Sequence, residues 1–545
     1  MLDLWYENAV VYCLDVETFR DGDGDGIGDF AGLVDGLDHL ERLGVNCLWL
    51  NPFYPSPNRD NGYDISDFYG VDPRHGSLGD FVAFMHAARD RGMRVIVDLV
   101  VNHTSVDHPW FRSARASVDS PYRDWYVWKE EEPEDKGEGI VFPGEQTEVW
   151  TFDDEAQAWY LHRFYRHQAD LNVANPAVRE EIQRVMGFWL ELGVSGFRVD
   201  AVPFLIEHKG LTDIPDGRED PYLLLSEMQD FLRWRRSEAI LLAEANVAYG
   251  KAPEFFDGGE RMQLVFDFIG NQAIWLALAR NSAAPIVEAF ERRPPPSIEG
   301  RWASFLRNHD ELSLDKLSEN EREEVYAAFG PEESMQIYAR GLRRRLAPML
   351  GGDPERLELV FSLLFALPGT PVIWYGDEIG LGENLALDER NAVRCPMQWT
   401  PEPGAGFSSA DPETFVRALA AGEDFAPAAV NAAGQWAHRG SLLNRVRDLV
   451  ALRRAAAEIG RGETERLAAG NDLLVLRSSW RDTTTLTLHN FTGDDLDWRV
   501  EGVSGPLHAH LASRSADARD DGESVGPGDT LTIPARGYRW LRSVR

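Results

Sequence analysis

Gly193-Val194-Ser195-Gly196-Phe197-Arg198-Val199-Asp200 is a short apolar strand that carries one arginine and ends on an aspartate. Successive side chains of a strand turn to opposite faces, so Arg198 and Asp200, two apart, point the same way. A guanidinium beside a carboxylate favours the ionised form, which suits a nucleophile or an electrostatic stabiliser. Taken alone, the pair is a salt bridge at a strand end, and such pairs are common. The surrounding chain decides between the two readings.

Comparable apolar runs recur at Val10 to Val16, Cys47 to Leu50, Arg94 to Val100, Ala239 to Ala245, Leu264 to Phe268, Ser304 to Asp310 and Pro371 to Tyr375. With the run from Gly196 to Asp200 they make eight candidate strands. Helical stretches separate them, such as Phe81 to Arg91 and Val178 to Leu192, whose apolar residues recur at three and four. Eight strands alternating with helices predict an α/β fold of the (β/α)8 TIM-barrel class. The interval after the third strand, 104–171, is too long for one helix and is rich in Trp, Tyr, Asp and Glu, so it reads as an inserted subdomain. Beyond Arg454 the helical pattern gives way to short strands between Gly/Asp turns, at Asp472 to Ser478, Thr484 to His489 and Thr530 to Pro534. The expected division is a catalytic barrel over 1–103 and 172–454, subdomain B over 104–171, and a C-terminal antiparallel β-sandwich over 455–545.

Composition narrows the function classes. The 545 residues carry a formal charge of -35, which argues against nucleic acid or an anionic membrane as partner, since both demand a basic face. Seventeen tryptophans suit stacking on flat ligands such as sugars. Cys13, Cys47 and Cys395 lack metal-ligand spacing and read as reduced and buried. The N-terminal residues lack the basic and apolar regions of a signal peptide, and the most apolar window, Leu357 to Tyr375, is broken by Pro368, Gly369 and Pro371. It reads as a buried helix followed by a strand, and the expected location is cytoplasmic. The sequence leaves a homo-oligomer open.

Chemistry in a (β/α)8 barrel sits where the strands end. Here the third strand ends in Asn102-His103, the fourth in Arg198 and Asp200, the fifth in Glu244 and the seventh in Asn308-His309-Asp310. Three carboxylates around one mouth serve either divalent-metal binding or glycoside cleavage. The histidines stand too far apart in sequence for a zinc site. Magnesium is not excluded by spacing, and the tryptophans and the strand-end arginine favour a sugar.

Asp98-Leu99-Val100-Val101-Asn102-His103, Gly196-Phe197-Arg198-Val199-Asp200, Ala243-Glu244 and Asn308-His309-Asp310, in that order, resemble the motifs of the α-amylase family of glycoside hydrolases, and the resemblance covers essentially the whole chain. It implies that Asp200 is the nucleophile of a retaining reaction through a covalent glucosyl intermediate, Glu244 the general acid and then base, and Asp310 the transition-state stabiliser. Arg198 would keep Asp200 charged, Glu244 would need to keep its proton, and the two carboxyls would lie about 5 Å apart. By the same resemblance Asp60 and Tyr63 hold and stack on the sugar, His103 and His309 donate to its hydroxyls, Gln168 and Arg394 close the pocket around one terminal glucose, and Phe164 is a further substrate-binding residue.

Two cation sites are expected. Asp21-Gly22-Asp23-Gly24-Asp25-Gly26-Ile27-Gly28-Asp29 sets carboxylates at positions one, three, five and nine, with Ile27 at position seven. This is the ligand rhythm of an EF-hand-like loop, and its oxygen donors favour Ca²⁺ or Mg²⁺. The family resemblance implies a second, structural calcium site from Asn102, Asp170 and Glu207 with the carbonyls of Phe204 and Leu205. No organic cofactor is expected.

Segments such as Asn51-Pro52-Phe53-Tyr54-Pro55-Ser56-Pro57, Leu306-Arg307-Asn308-His309-Asp310-Glu311-Leu312 and Tyr375-Gly376-Asp377-Glu378-Ile379-Gly380 resemble the branch of that family that interconverts maltose and trehalose by intramolecular glucosyl transfer. An exo-acting α-glucosidase on small α-glucosides is the alternative. Asn246-Val247-Ala248-Tyr249 and Asp15-Val16-Glu17-Thr18-Phe19 depart from that branch, and both are expected near the mouth, where the second sugar binds. A relative that had lost catalysis and served only to bind would lack one of the three carboxylates, and all three are present.

Overall fold

Eight parallel strands close into a barrel: β1 (Val11–Leu14), β2 (Cys47–Leu50), β3 (Arg94–Leu99), β4 (Gly196–Val199), β5 (Ile240–Ala243), β6 (Leu264–Phe266), β7 (Arg301–Phe305) and β8 (Thr370–Trp374). Each pairs with its sequence neighbours, and β8 closes on β1 with Val11 opposite Val372. The structure, a computed structural model, describes residues 4–207, 221–295, 299–503, 505–513 and 524–543. The barrel strands read as continuous apolar runs because both faces are covered, and nearly every residue in them is buried.

Local sequence signals set the helix ends. Pro176–Glu191 begins on Asn175, whose side chain accepts from the Ala177 amide, with Pro176 in the first turn; its residues Val178, Ile182, Val185, Met186 and Trp189 are buried on the barrel. Leu78–Asp90 begins on a capping box between Ser77 and Asp80. The apolar window near Leu357 resolves into helix Pro354–Ala366 and strand β8. No helix among the described residues is long and apolar enough to cross a membrane.

One strand differs from expectation. β7 spans Arg301–Phe305 and not Ser304 to Asp310, because Leu264 pairs with Arg301 on one side and Ala303 with Thr370 on the other. Asn308, His309 and Asp310 therefore lie on the loop beyond the strand. Arg307 shapes that loop by donating to the carbonyls of Asp310 (2.7 Å) and Arg344 (2.7 Å).

Between β3 and β4 the chain forms two small sheets, one of them pairing His103–Ser105 antiparallel with Gln168–Asp170. At the C-terminal end, Glu463–Leu467, Leu473–Trp480, Thr483–Asn490, Tyr538–Arg542, Leu507–Ala512 and Ser524–Val525 form a six-stranded sheet faced by the pair Leu496–Arg499 and Thr530–Ile533. Alternation along Leu473–Trp480 explains the sandwich: Leu474 and Leu476 pack into the main core, while Leu473 and Val475 join Leu486, Leu488 and Trp498 in a second one. Ser362, on the barrel helix, joins the two domains by accepting from Trp540 Nε1 (2.8 Å) and bonding His489 Nε2 (2.9 Å). The three cysteines are buried and unpaired with one another.

Candidate active site

At the C-terminal end of the barrel lies a cavity of about 380 Å³ lined by Asp200, Glu244 and Asp310 together with Asp60, Tyr63, His103 and Phe164. Arg198 organises its floor. The guanidinium pairs through Nη1 with Asp98 Oδ1 (2.8 Å) and Asp200 Oδ1 (2.5 Å), and through Nη2 with Glu244 Oε2 (2.8 Å). Strand register brings these groups together, since Asp98 on β3 sits opposite Arg198 on β4, and Arg198 opposite Leu242 on β5.

The β4 backbone is built for the site. Gly196 has φ +147, and a Cβ there would stand 2.3 Å from the Ile240 carbonyl oxygen, so only glycine lets β4 and β5 approach. After Asp200 the chain turns through Ala201 in the left-handed region (φ 49), a conformation L side chains rarely adopt. The turn aims the Ala201 amide at Glu244 Oε2 (3.0 Å).

The carboxyls are separated by their surroundings. Burial raises Asp200, and although Arg198 opposes it, the nearby Asp98 and Asp310 add to the rise, leaving Asp200 at about 6. The expectation that Arg198 keeps Asp200 well ionised is thus modified: burial outweighs the arginine, and Asp200 is mostly but not fully ionised at neutral pH. Glu244 is pushed further, to about 7, by burial and the charges of Asp200 and Asp310, against Arg198. Burial acts on Asp310 too, but the His309 contact and the Arg390 and Arg394 guanidinia overcome it and hold that carboxyl well below the usual range. Asp310 Oδ1 takes Arg390 Nη1 (2.5 Å) and Arg394 Nη2 (3.2 Å), and its Oδ2 meets His309 Nε2 (3.0 Å). Burial lowers His309 to about 4, so the ring is neutral and donates through Nε2.

The remaining sequence-derived residues fall into two ranks. Asp60, Tyr63, His103 and Phe164 face the cavity. Tyr63 stacks on His309 (rings 5.6 Å apart, 7° between planes) and its hydroxyl bonds Asp98 Oδ2 (3.1 Å) and His309 Nε2 (2.8 Å). His103 lies against Phe164 and bonds the Tyr63 carbonyl (3.2 Å). Arg198, His309, Gln168 and Arg394 stand behind. Gln168 donates to Asp60 Oδ2 (2.8 Å), and Arg394 donates to the His309 carbonyl (2.8 Å) as well as to Asp310.

Sequence reasoning missed Arg390, which pairs with both Asp60 (3.3 Å) and Asp310. Nothing local distinguishes it from neighbouring charged residues. It gave Asp98 no role, although Asp98 opens the first motif. It assigned Phe204 only a carbonyl, whereas the ring lines the cavity against Phe164. Of the two departing segments, Asn246 is on the cavity wall, where it donates to Asp315 Oδ1 (2.9 Å) beside Lys316. The other is not at the wall: Asp15 and Glu17 lie buried behind it, tied to Arg417, which also reaches Asn61 next to Asp60.

At the first expected cation site Asp21, Asp23 and Asp29 bring carboxylate oxygens within 4.8 Å of one another. Asp25 is outside that group and accepts from the Ile27 amide (2.8 Å). At the second, Asn102 Nδ2 donates to Asp170 Oδ1 (3.4 Å), while Glu207 pairs with Arg163 (2.6 Å) near Phe204 and Leu205.

A parallel barrel with three carboxylates and a buried arginine at its C-terminal mouth defines a sugar-cleaving or sugar-transferring enzyme of the paired-carboxylate type. The chain belongs to the α-amylase family, whose catalytic-domain model matches residues 15–326 and 343–462. It is 42% identical over 471 residues to the trehalose synthase/amylase TreS of Mycobacterium tuberculosis, covering 86% of this chain and 78% of that one. To the trehalose synthase of Pimelobacter sp. it is 37% identical over 559 residues, covering 99% and 96%. The trehalulose synthase MutB from Pseudomonas mesoacidophila has a similar structure, with TM-score 0.78 and 26% identity over 99% of both chains, and another structure of MutB holds its substrate sucrose.

Proposed function

We propose that this enzyme is a retaining α-glucosyl isomerase that interconverts maltose and trehalose. The observation that carries the chemistry is the contrast between Glu244, held near 7, and Asp310, held well below the carboxylate range, on one cavity with Asp200. In this reading Glu244 gives its proton to the glycosidic oxygen while the Asp200 carboxylate attacks the anomeric carbon from the opposite face. The carbon–oxygen bond breaks, the second glucose leaves with the proton, and a glucosyl ester forms on Asp200. Asp310, charged throughout, stabilises the positive charge that develops on the ring. The freed glucose turns over, Glu244 takes the proton of its anomeric hydroxyl, and that oxygen displaces Asp200 to give the α,α-1,1 bond. Two inversions retain the configuration.

Asp60, held by Gln168 and Arg390, closes the end of the donor pocket and supports a single terminal glucose there. Both relatives, at 37 and 42% identity, are named trehalose synthase, which supports isomerisation, and the one at 42% is also named an amylase, which keeps hydrolysis as the alternative. Incubation with maltose tests it: trehalose with little free glucose is expected, and glucose alone overturns the isomerase in favour of an exo-acting α-glucosidase.

The oxygen donors of Asp21, Asp23 and Asp29 fit a hard cation, Ca²⁺ or Mg²⁺, which would brace this loop away from the reacting bond. Asn102 and Asp170 would hold a second Ca²⁺ only if Glu207 exchanges Arg163 for the ion. Three buried, unbridged thiols support a cytoplasmic location.

A further inference from the structure

The cavity has a roof with its own small core. Val141 and Phe142 of the inserted segment and Tyr338 from beyond β7 form a cluster separate from the main one, with Phe164, Tyr165 and Phe204 packed on it. Tyr338 stands in the three-residue loop between Gln336–Ile337 and Gly341–Leu342, where it and Ala339 both have positive φ (55 and 52). Phe142 stacks on Tyr165 (4.8 Å) and touches Tyr338 (4.7 Å). Three segments distant in sequence thus meet over the substrate space.

One carboxylate joins two of these segments, which Arg340 Nη2 also bridges by donating to the Val141 carbonyl (2.7 Å). Glu389 Oε2 accepts from the Tyr165 hydroxyl (2.6 Å) and from the Tyr338 hydroxyl (3.3 Å), and the two hydroxyls lie 3.2 Å apart. Glu389 itself has φ 44, so its side chain is delivered by an uncommon left-handed residue. The next residue, Arg390, leaves in the other direction, its guanidinium 5.2 Å over the Phe142 ring and bonded to Asp310 and Asp60.

We propose that Glu389 is a positioning residue that latches the roof through Tyr165 and Tyr338 and fixes Arg390, so that the glucosyl intermediate meets a sugar hydroxyl in preference to water. The inference rests on the transglucosylation reading above. A hydroxyl-to-carboxylate bond is stronger than a neutral one, and its two partners belong to the two halves of the roof. Without the latch the Tyr165–Tyr338 and Arg340–Val141 bonds still cross the roof, but its charge-assisted bonds are gone, the roof loosens, and water gains access to the ester on Asp200.

The test uses 4-nitrophenyl α-glucoside as donor with glucose added as acceptor. Nitrophenol counts every turnover, and disaccharide counts transfer. Glu389→Ala is expected to lower disaccharide per nitrophenol by about tenfold, the worth of one charge-assisted hydrogen bond. Tyr165→Phe, which removes a single oxygen and guards against misfolding of the first variant, shifts the ratio the same way with an unchanged melting curve. Glu389→Gln, which still accepts, restores part of it. An unaltered ratio in both Glu389→Ala and Tyr165→Phe overturns the latch, as does absence of disaccharide from the wild type. Failure of the isomerase reading shows separately, as a wild type that yields only glucose from maltose yet still transfers to added glucose here.

Discussion

Asp200 and Glu244 hold different nitrogens of one guanidinium, that of Arg198, at 2.5 and 2.8 Å, and Asp98 shares the nitrogen used by Asp200. One buried cation thus faces the buried carboxyls of Asp98 and Asp200, pushed to about 6, and the half-buried carboxyl of Glu244, pushed to about 7. The floor of the site is short of positive charge, and that shortage keeps a proton available at neutral pH. A lysine offers a point charge where this geometry uses a planar fork. Arg198→Lys is expected to lower kcat by about a hundredfold, the scale of losing one preorganised donor. Near-normal kcat in this variant would show that charge alone suffices.

Asp200→Ala should lower turnover by about 10⁴-fold or more, as loss of a covalent nucleophile does. Its circular dichroism should match the wild type. Appreciable residual turnover removes Asp200 from the nucleophile role.

The pH profile follows from the signs of the shifts. Asp200 must be ionised, so activity rises as pH passes about 6, and Glu244 must be protonated, so activity falls as pH passes about 7. A narrow bell in kcat/KM between those values is expected. In Glu244→Gln the alkaline limb should vanish with 4-nitrophenyl α-glucoside, whose leaving group needs no proton. An alkaline limb that survives assigns it to another group.

Ser362 lies buried between His489 and Trp540 at the domain junction. Ser362→Ala strands both partners and should cost about 1–3 kcal/mol, read in urea unfolding. Burial lowers His489 to about 3, so the folded state excludes a proton that the unfolded chain accepts near 6.5. This contribution is fully present above the unfolded value and is lost as pH falls from there toward 3. A stability unchanged between pH 7 and 4 in a wild type compared with His489→Gln would contradict it.

A cation held by Asp21, Asp23 and Asp29 should raise the melting temperature on addition of Ca²⁺ or Mg²⁺, by about 2.7 kcal/mol of stability at a hundredfold excess over Kd. Asp23→Asn, at the exposed member of the group, should abolish that increment. Equal melting curves with chelator and with Ca²⁺ or Mg²⁺ would remove the site.

The sequence by itself determined the barrel, the order of its strands and the identity of the carboxyls at their ends. Apolar period, helix caps such as Ser77 and Asn175, and motif position are local properties, and a linear chain displays them. It placed β7 three residues late because the run through Leu306 is as apolar as the strand, and only pairing with β6 and β8 sets the register. Tertiary structure alone decided the rest. Arg390 reaches Asp310 from 80 positions away and Asp60 from 330, and Glu389 joins Tyr165 to Tyr338 across segments with no common pattern. The protonation of the site belongs to the same class. Arg198 beside Asp200 predicts a low carboxyl when only neighbours in sequence are weighed. Burial, together with Asp98 and Asp310, reverses the direction, because desolvation depends on everything packed around the group and not on the residue two places before it.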